Sequence, residues 1–228
     1  MKSIVFDAGP VISLTTNNLL WVLEGLRRRY SGEFLISREV RRELIDVPIE
    51  TKRFKLEALQ VNEEITKGIL KVVDDPNVKL LKEELSNLAN NCFIARGTPI
   101  KIVHEGEMGS VALALLNDSD AIVIDERTTR ELIERPEKLA GLMSNKLHVR
   151  IDVDRANLDN LKAKLSGLKV IRSIELALIG YELGWFDRYL TQDKDARKIL
   201  KEAILWGIKI RGASISQEEI DKIVRLEK

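Results

Sequence analysis

Short apolar runs that stop at an acid or a turn residue, each followed by a stretch of helical spacing, constrain this chain more than any other feature. Ile4-Val5-Phe6 runs into Asp7, Gly9 and Pro10, and Phe34-Leu35-Ile36 runs into Ser37. Ile100-Lys101-Ile102-Val103, Ala121-Ile122-Val123-Ile124 and Leu168-Lys169-Val170-Ile171 complete the set. Runs of this length between turn signals read as buried strands. Strands that alternate with helices predict an α/β fold with a parallel sheet. In such sheets ligands bind beyond the carboxyl ends of the strands, so function is sought in the residues that follow each run.

The intervening helices are read from spacing and caps. Pro10 stands near the start of the first, and Asn17 or Asn18 is the expected cap of the second, which ends at Ser31-Gly32. Ser37 caps a helix carrying Val40, Leu44 and Val47, with Pro48 as its expected stop. Residues 51–95 read as helical and polar-rich, broken at Asp74-Asp75-Pro76. The tail is expected to be helical over 173–183, 193–206 and 217–226, with Ser216 and Glu219 spaced as a capping box. The Leu200/Ile204 and Ile220/Ile223/Leu226 stripes could pack on the domain or form a homodimer surface.

Composition narrows the chemistry. With 228 residues the chain is one large domain, or one domain with an appendage. Thirty-seven Lys/Arg against 36 Asp/Glu exclude a strongly basic nucleic-acid coat protein. A single cysteine, Cys92, excludes a disulfide scaffold and Cys-based metal clusters. His104 and His148 are far apart in sequence, so any metal is expected to have oxygen ligands and to be a hard cation such as Mg²⁺ or Mn²⁺. No apolar run approaches the roughly 18 residues of a membrane span, and a charge comes too early for a signal peptide. The expectation is a soluble, cytoplasmic protein, with a Lys-, Arg- and Glu-rich composition that suits a thermophile.

Four acids stand out by position. Asp7 and Asp125 directly follow two of the strand runs; each is either an ordinary turn residue or a ligand at a strand end. Glu43 shares the helical stripe of Val40, Leu44 and Val47, where a carboxylate needs a partner or a boundary position. Glu107 lies in the first turn of a helix, in line with Val111 and Leu115; complementing the helix dipole is its plainer role. Glu39 and Glu105 face differently and are expected to be solvated or to serve the helix end, and Asp120 to make a turn. If the four converge, each close pair repels by about 4 kcal/mol at an effective dielectric near 20. A divalent cation turns that repulsion into coordination. Such an ion can lower the pKa of a water and stabilise a phosphoryl transition state. The chain shows no Ser/His/Asp or Cys/His arrangement to suggest a protein nucleophile.

The opening segment Ile4 to Leu14, the segment Ser37 to Leu44 with Glu43, the segment Gly106 to Ala114 with Glu107, and Ala121 to Arg127 followed by Arg130 together resemble the motifs of the PIN-domain family. These are metal-dependent ribonucleases that include VapC-type toxins. The resemblance covers residues 1–185. It implies a three-layer α/β/α fold with a parallel central sheet; a helical insertion at about 49–96 and a helical C-terminal extension at 186–228 are expected as additions to the family's minimal domain. It also implies RNA hydrolysis with one or two Mg²⁺ or Mn²⁺ ions held by Asp7, Glu43, Glu107 and Asp125. The family commonly has a Ser or Thr just after the first acid, where this chain has Ala8 and Gly9; Ser13 or Thr15 could stand in. That departure keeps a non-catalytic module binding RNA or protein as the alternative, beside a toxin held by an antitoxin-like partner. Arg38, Arg41 and Arg42 beside Glu43, and Arg127 and Arg130 after Asp125, are either solvated or line the cleft as contacts to RNA phosphates. His104 is expected on a surface loop, and Trp185-Phe186 as core filler.

Overall fold

The computed structural model describes residues 2–226. β1 (Ser3–Phe6) leads through Asp7 into α1 (Ala8–Thr16), and α2 (Trp21–Tyr30) returns the chain to β2 (Glu33–Ser37). A bent helical segment follows, made of α3 (Arg38–Arg41), a π-turn (Arg42–Asp46) and α4 (Val47–Glu50). Then come α5 (Lys55–Thr66), β3 (Lys71–Val73), α6 (Pro76–Asn90), β4 (Phe93–Ala95) and β5 (Thr98–Pro99). The middle of the chain holds α7 (Glu105–Leu116), β6 (Ala121–Val123), α8 (Arg127–Glu134), α9 (Pro136–Leu147), β7 (Ile151–Val153) and α10 (Arg155–Leu165). β8 (Val170–Ile171), α11 (Ser173–Glu182), α12 (Ala196–Ile210) and α13 (Gln217–Arg225) finish it.

The sheet order is β3-β2-β1-β6-β8, and every neighbouring pair is parallel. Because side chains alternate across a strand, β1 feeds two separate cores. Ile4 and Phe6 pack with Phe34, Ile36 and Val123 against α1, α2, α11, α12 and α13. Val5 packs with Leu35, Ile122 and Ile124 against α6, α7 and α10. The chain is therefore a three-layer α/β protein with a parallel central sheet, as the alternation of elements predicts. A small antiparallel sheet, β5-β4-β7, lies apart from it. No helix among the described residues is long and apolar enough to cross a membrane.

β2 and β6 flank β1 on opposite sides. The order of connections reverses there, and a crevice opens beyond the carboxyl ends of β1 and β6. That crevice is where Asp7 and Asp125 emerge.

Several local expectations change. The polar-rich stretch over 51–95 is not helical throughout: Lys71-Val72-Val73 extends the main sheet by pairing with β2. Residues 101–104 form no strand; the side-chain oxygen of Asn90 accepts from the N–H of Ile102 at 2.8 Å and of Val103 at 3.1 Å instead. Leu20, not an asparagine, precedes α2, and Asn18 takes a left-handed turn at φ 56°. Ser37 does cap its helix, accepting from Val40 N–H at 3.1 Å. Pro48 does not end that helix, because it follows a π-turn in which the Val47 N–H reaches back to the Arg42 carbonyl. The wider turn eases the clash and the lost donor that proline brings to an α-helix. Helical structure starts at Ala196 rather than Asp193 and runs to Ile210. Ser216 caps α13, but the Glu219 carboxylate pairs with Arg172 at 2.6 Å instead of closing a capping box.

The C-terminal stripes pack onto the domain except at Leu226, which is exposed. Leu200, Ile204, Ile208 and Ile220 are buried in the same core as Ile4 and Phe6. Ile220→Ala removes a fully buried side chain and should cost roughly 2–5 kcal/mol. Because that core is shared, urea unfolding followed by circular dichroism should show one transition moved to lower denaturant, not early loss of α13 alone.

Candidate active site

Each acid arrives by a different route. Asp7 continues the β1 ladder, its N–H donating to the Val123 carbonyl at 3.0 Å, and its carboxylate is buried. Its Oδ1 accepts from the Ser110 hydroxyl on α7 at 3.1 Å. Asp125 is buried just past β6 and is held on both oxygens. Oδ1 accepts from the Ser173 N–H at 2.8 Å, and Oδ2 from the hydroxyls of Ser173 at 2.7 Å and Ser13 at 3.0 Å. Glu107 does serve its helix start, since Oε2 accepts from the His104 N–H at 3.1 Å. The same oxygen accepts from the Thr129 hydroxyl at 3.0 Å.

Glu43 sits on the π-turn and is exposed rather than core-facing. The sequence stripe placed it inward beside Val47, but the π-turn spoils the regular α spacing, and Val47 is exposed as well. Its carboxylate lies against α7: a Cβ added at Gly106 would stand 3.7 Å from Glu43 Oε2. Gly9 makes a similar close approach, with Asp7 Oδ2 at 3.7 Å and Asp125 Cβ at 3.9 Å from its hypothetical Cβ.

All four acids line one cleft of about 440 Å³, together with Gly9, Ile12, Ser13, His104, Gly106, Glu126, Arg211 and Gly212. Burial pushes the Asp7 pKa up to about 6; the charges of Glu107 and Glu43 add to the rise, while the Ser110 hydroxyl and the Ala8 N–H hold it back. Partial burial, then Glu107, also raises Glu43. Among the described residues none of the four forms an ion pair, although acids nearby do. Glu39 and Glu105 share the buried Lys82 at 3.6 and 3.7 Å, and Glu131 pairs with Arg135 at 2.9 Å. Glu39 is thus not simply solvated.

The donors suit a hard cation: carboxylate oxygens, held by hydroxyls and backbone N–H groups that orient them without cancelling their charge. As they stand, no three His, Cys, Asp or Glu side chains among the described residues are grouped closely enough to share an ion.

The proposed phosphate contacts fall elsewhere. Arg38 pairs with Asp74 at 3.0 Å on the surface, Arg42 is exposed, and neither lines the cleft. Arg127 and Arg130 line a neighbouring crevice of about 530 Å³ with Arg172, Glu175 and Glu219. Arg130 donates from Nη2 to the Ser214 carbonyl at 3.2 Å, and burial followed by the charge of Arg172 lowers its pKa. His104 is on an exposed loop and lines the cleft too. Sequence reasoning passed over Ser110, Thr129, Ser173 and Arg211. Ser173 could have been found, since it follows the last strand; Ser110 follows Glu107 by three positions on one helix face. Thr129 and Arg211 carry no local signal.

No family model and no curated protein matches the chain. A solved structure, VapBC2 from Rickettsia felis bound to a DNA fragment from its promoter, is similar at 12% identity with a TM-score of 0.43, covering 75% of this chain and 98% of that one. A likeness so distant says nothing of chemistry, and the site is read from its own geometry.

The strain on Asp7 gives a metal-free test. An acid whose pKa is raised on folding weakens the fold wherever it must ionise, here above about pH 6, and the penalty fades as pH falls toward the unfolded value. Asp7→Asn should therefore stabilise the protein in EDTA at pH 7.5 by roughly 1–3 kcal/mol. By pH 5 the gain should shrink by about half. Thermal melts at the two pH values measure both.

Proposed function

We propose that this protein hydrolyses phosphodiester bonds in single-stranded RNA, using Mg²⁺ or Mn²⁺ held by Asp7, Glu43, Glu107 and Asp125. The observation that carries the reading is that four carboxylates, none of them ion-paired among the described residues, line a single cleft at the sheet's reversal point. The choice of RNA follows from the resemblance of the four segments to PIN-domain motifs. A divalent ion bound there would supply a water of lowered pKa and neutralise charge that builds on the phosphoryl oxygens.

The chain's own groups divide the remaining work. Asp7 and Asp125, rooted at strand ends and oriented by Ser110, Ser13 and Ser173, form the rigid floor. Glu107 is pinned through one oxygen by Thr129 and the helix start. Glu43 is the most open of the four, so its carboxylate is placed to meet the attacking water and take its proton. The water oxygen bonds to phosphorus, the bond from phosphorus to the leaving ribose oxygen breaks, and that oxygen takes a proton from solvent.

One observation favours the second reading, a non-catalytic module that binds RNA. Both oxygens of Asp125 already accept hydrogen bonds from Ser13 and Ser173. A labelled single-stranded RNA incubated with the protein in Mn²⁺, Mg²⁺ or EDTA separates the two. Cleavage should need the divalent ion, and Asp7→Asn or Asp125→Asn should lower it at least 10²-fold, on the order of 3 kcal/mol, while circular dichroism stays native. Unchanged metal-dependent turnover in either variant overturns the proposal; RNA binding without any cleavage favours the module.

A further inference from the structure

Arg211 is the one Arg or Lys among the residues that line the acidic cleft. It comes from the C-terminal extension, beyond the segment whose motifs bring the acids together. Among the described residues it forms no ion pair, and it is exposed, so its guanidinium is not spent on the carboxylates around it.

Its position is built, not incidental. Arg211 ends α12, its N–H donating to the Ile208 carbonyl at 3.2 Å. The chain then turns at Gly212, whose φ of 124° lies where L side chains are strained. On either side Ile208, Ala213 and Ile215 are buried in the core. The next residue is fastened to the cleft itself: the Ser214 N–H approaches the Asp125 carbonyl at 3.4 Å, and Arg130 donates to the Ser214 carbonyl at 3.2 Å. Glu219 of α13 adds its ion pair with Arg172 at 2.6 Å. The backbone that carries Arg211 is therefore held from both sides, while the side chain is left free at the rim.

We infer that Arg211 binds a non-bridging oxygen of an RNA phosphodiester lying across the acidic cleft, so that the C-terminal extension completes the substrate site. This rests on the ribonuclease reading for the identity of the substrate. Anionic substrate entering a cleft lined by Asp7, Glu43, Glu107, Asp125 and Glu126 meets net repulsion, and a planar guanidinium offers paired donors matched to phosphate. A lysine keeps the charge but not the fork, which makes Arg211→Lys and Arg211→Gln distinguishable.

Binding is measured by fluorescence anisotropy of a labelled single-stranded RNA in EDTA over a salt series, with cleavage in Mn²⁺ and Mn²⁺ affinity by calorimetry alongside. Arg211→Gln should weaken RNA binding about tenfold and reduce the salt slope by about one. Arg211→Lys should keep the slope with an intermediate affinity, and both variants should keep the wild-type Tm and Mn²⁺ affinity. In Mn²⁺, cleavage by Arg211→Gln should fall at least tenfold. If wild-type protein cleaves no RNA but the slope still drops in Arg211→Gln, the phosphate contact stands and the nuclease reading alone fails. If Arg211→Gln binds RNA with wild-type affinity and slope, the assignment of Arg211 is overturned whether or not cleavage occurs.

Discussion

Acids that line one cleft, none of them in an ion pair among the described residues, are the constraint on which the site depends. Asp7 and Asp125 stand at adjacent strand ends because β1 and β6 pair in parallel register, Phe6 opposite Val123. Neither can move away without breaking the sheet. Nor is either tied to an arginine or lysine among the described residues; hydroxyls and backbone N–H groups supply their hydrogen bonds. A neutral donor satisfies the lone pairs of a buried carboxylate and fixes its rotamer, whereas a guanidinium would also cancel its charge. Burial, and then the charges of Glu107 and Glu43, therefore leave the Asp7 pKa raised. Strain stored at a site is expected where binding a ligand relieves it.

The contrast with the surrounding acids sharpens this. Glu39 and Glu105 flank the cleft residues in sequence, yet both approach the buried Lys82. Glu131, one turn beyond Arg127, pairs with Arg135. Neighbouring carboxylates are thus neutralised by cations, whereas among the described residues Asp7, Glu43, Glu107 and Asp125 form no ion pair. Gly9 and Gly106 contribute by omission, since neither places a Cβ between the acids.

The strand-end acids were legible in the sequence because an apolar run that stops marks both the end of a strand and the residue beyond it. The sequence singled out Glu43, which lines the cleft, but placed it facing inward. Stripe counting assumes 3.6 residues per turn, and the π-turn over Arg42–Asp46 departs from that. β3 escaped notice because three residues of strand leave no periodicity to count. The run Ile100 to Val103 misled for the opposite reason: its apolar content is real and Val103 is buried, but the N–H groups of Ile102 and Val103 donate to the Asn90 side chain rather than to a neighbouring strand. Arg211 was illegible on principle. A basic residue at a helix end already has a local explanation in the dipole, and only tertiary structure decides where that end of α12 lands.

Where it lands depends on Asp125 twice over. The side chain of Asp125 faces Ser13 and Ser173 at the floor of the cleft, while its carbonyl oxygen faces the N–H of Ser214. One residue therefore sets the position of an acid and of the backbone three residues from Arg211. The connection is reinforced by a chain of polar contacts that has no part in the cleft. Arg130 and Arg172 line one crevice, and there Glu175 and Glu219, on two different helices, both pair with Arg172. Release of α13 would cost Arg172 one of its two carboxylates. The half-buried ion pair thus does more than hold a terminal helix. Together with the contacts of Ser214 to Asp125 and Arg130, it holds the linker that follows Arg211 at both of its ends.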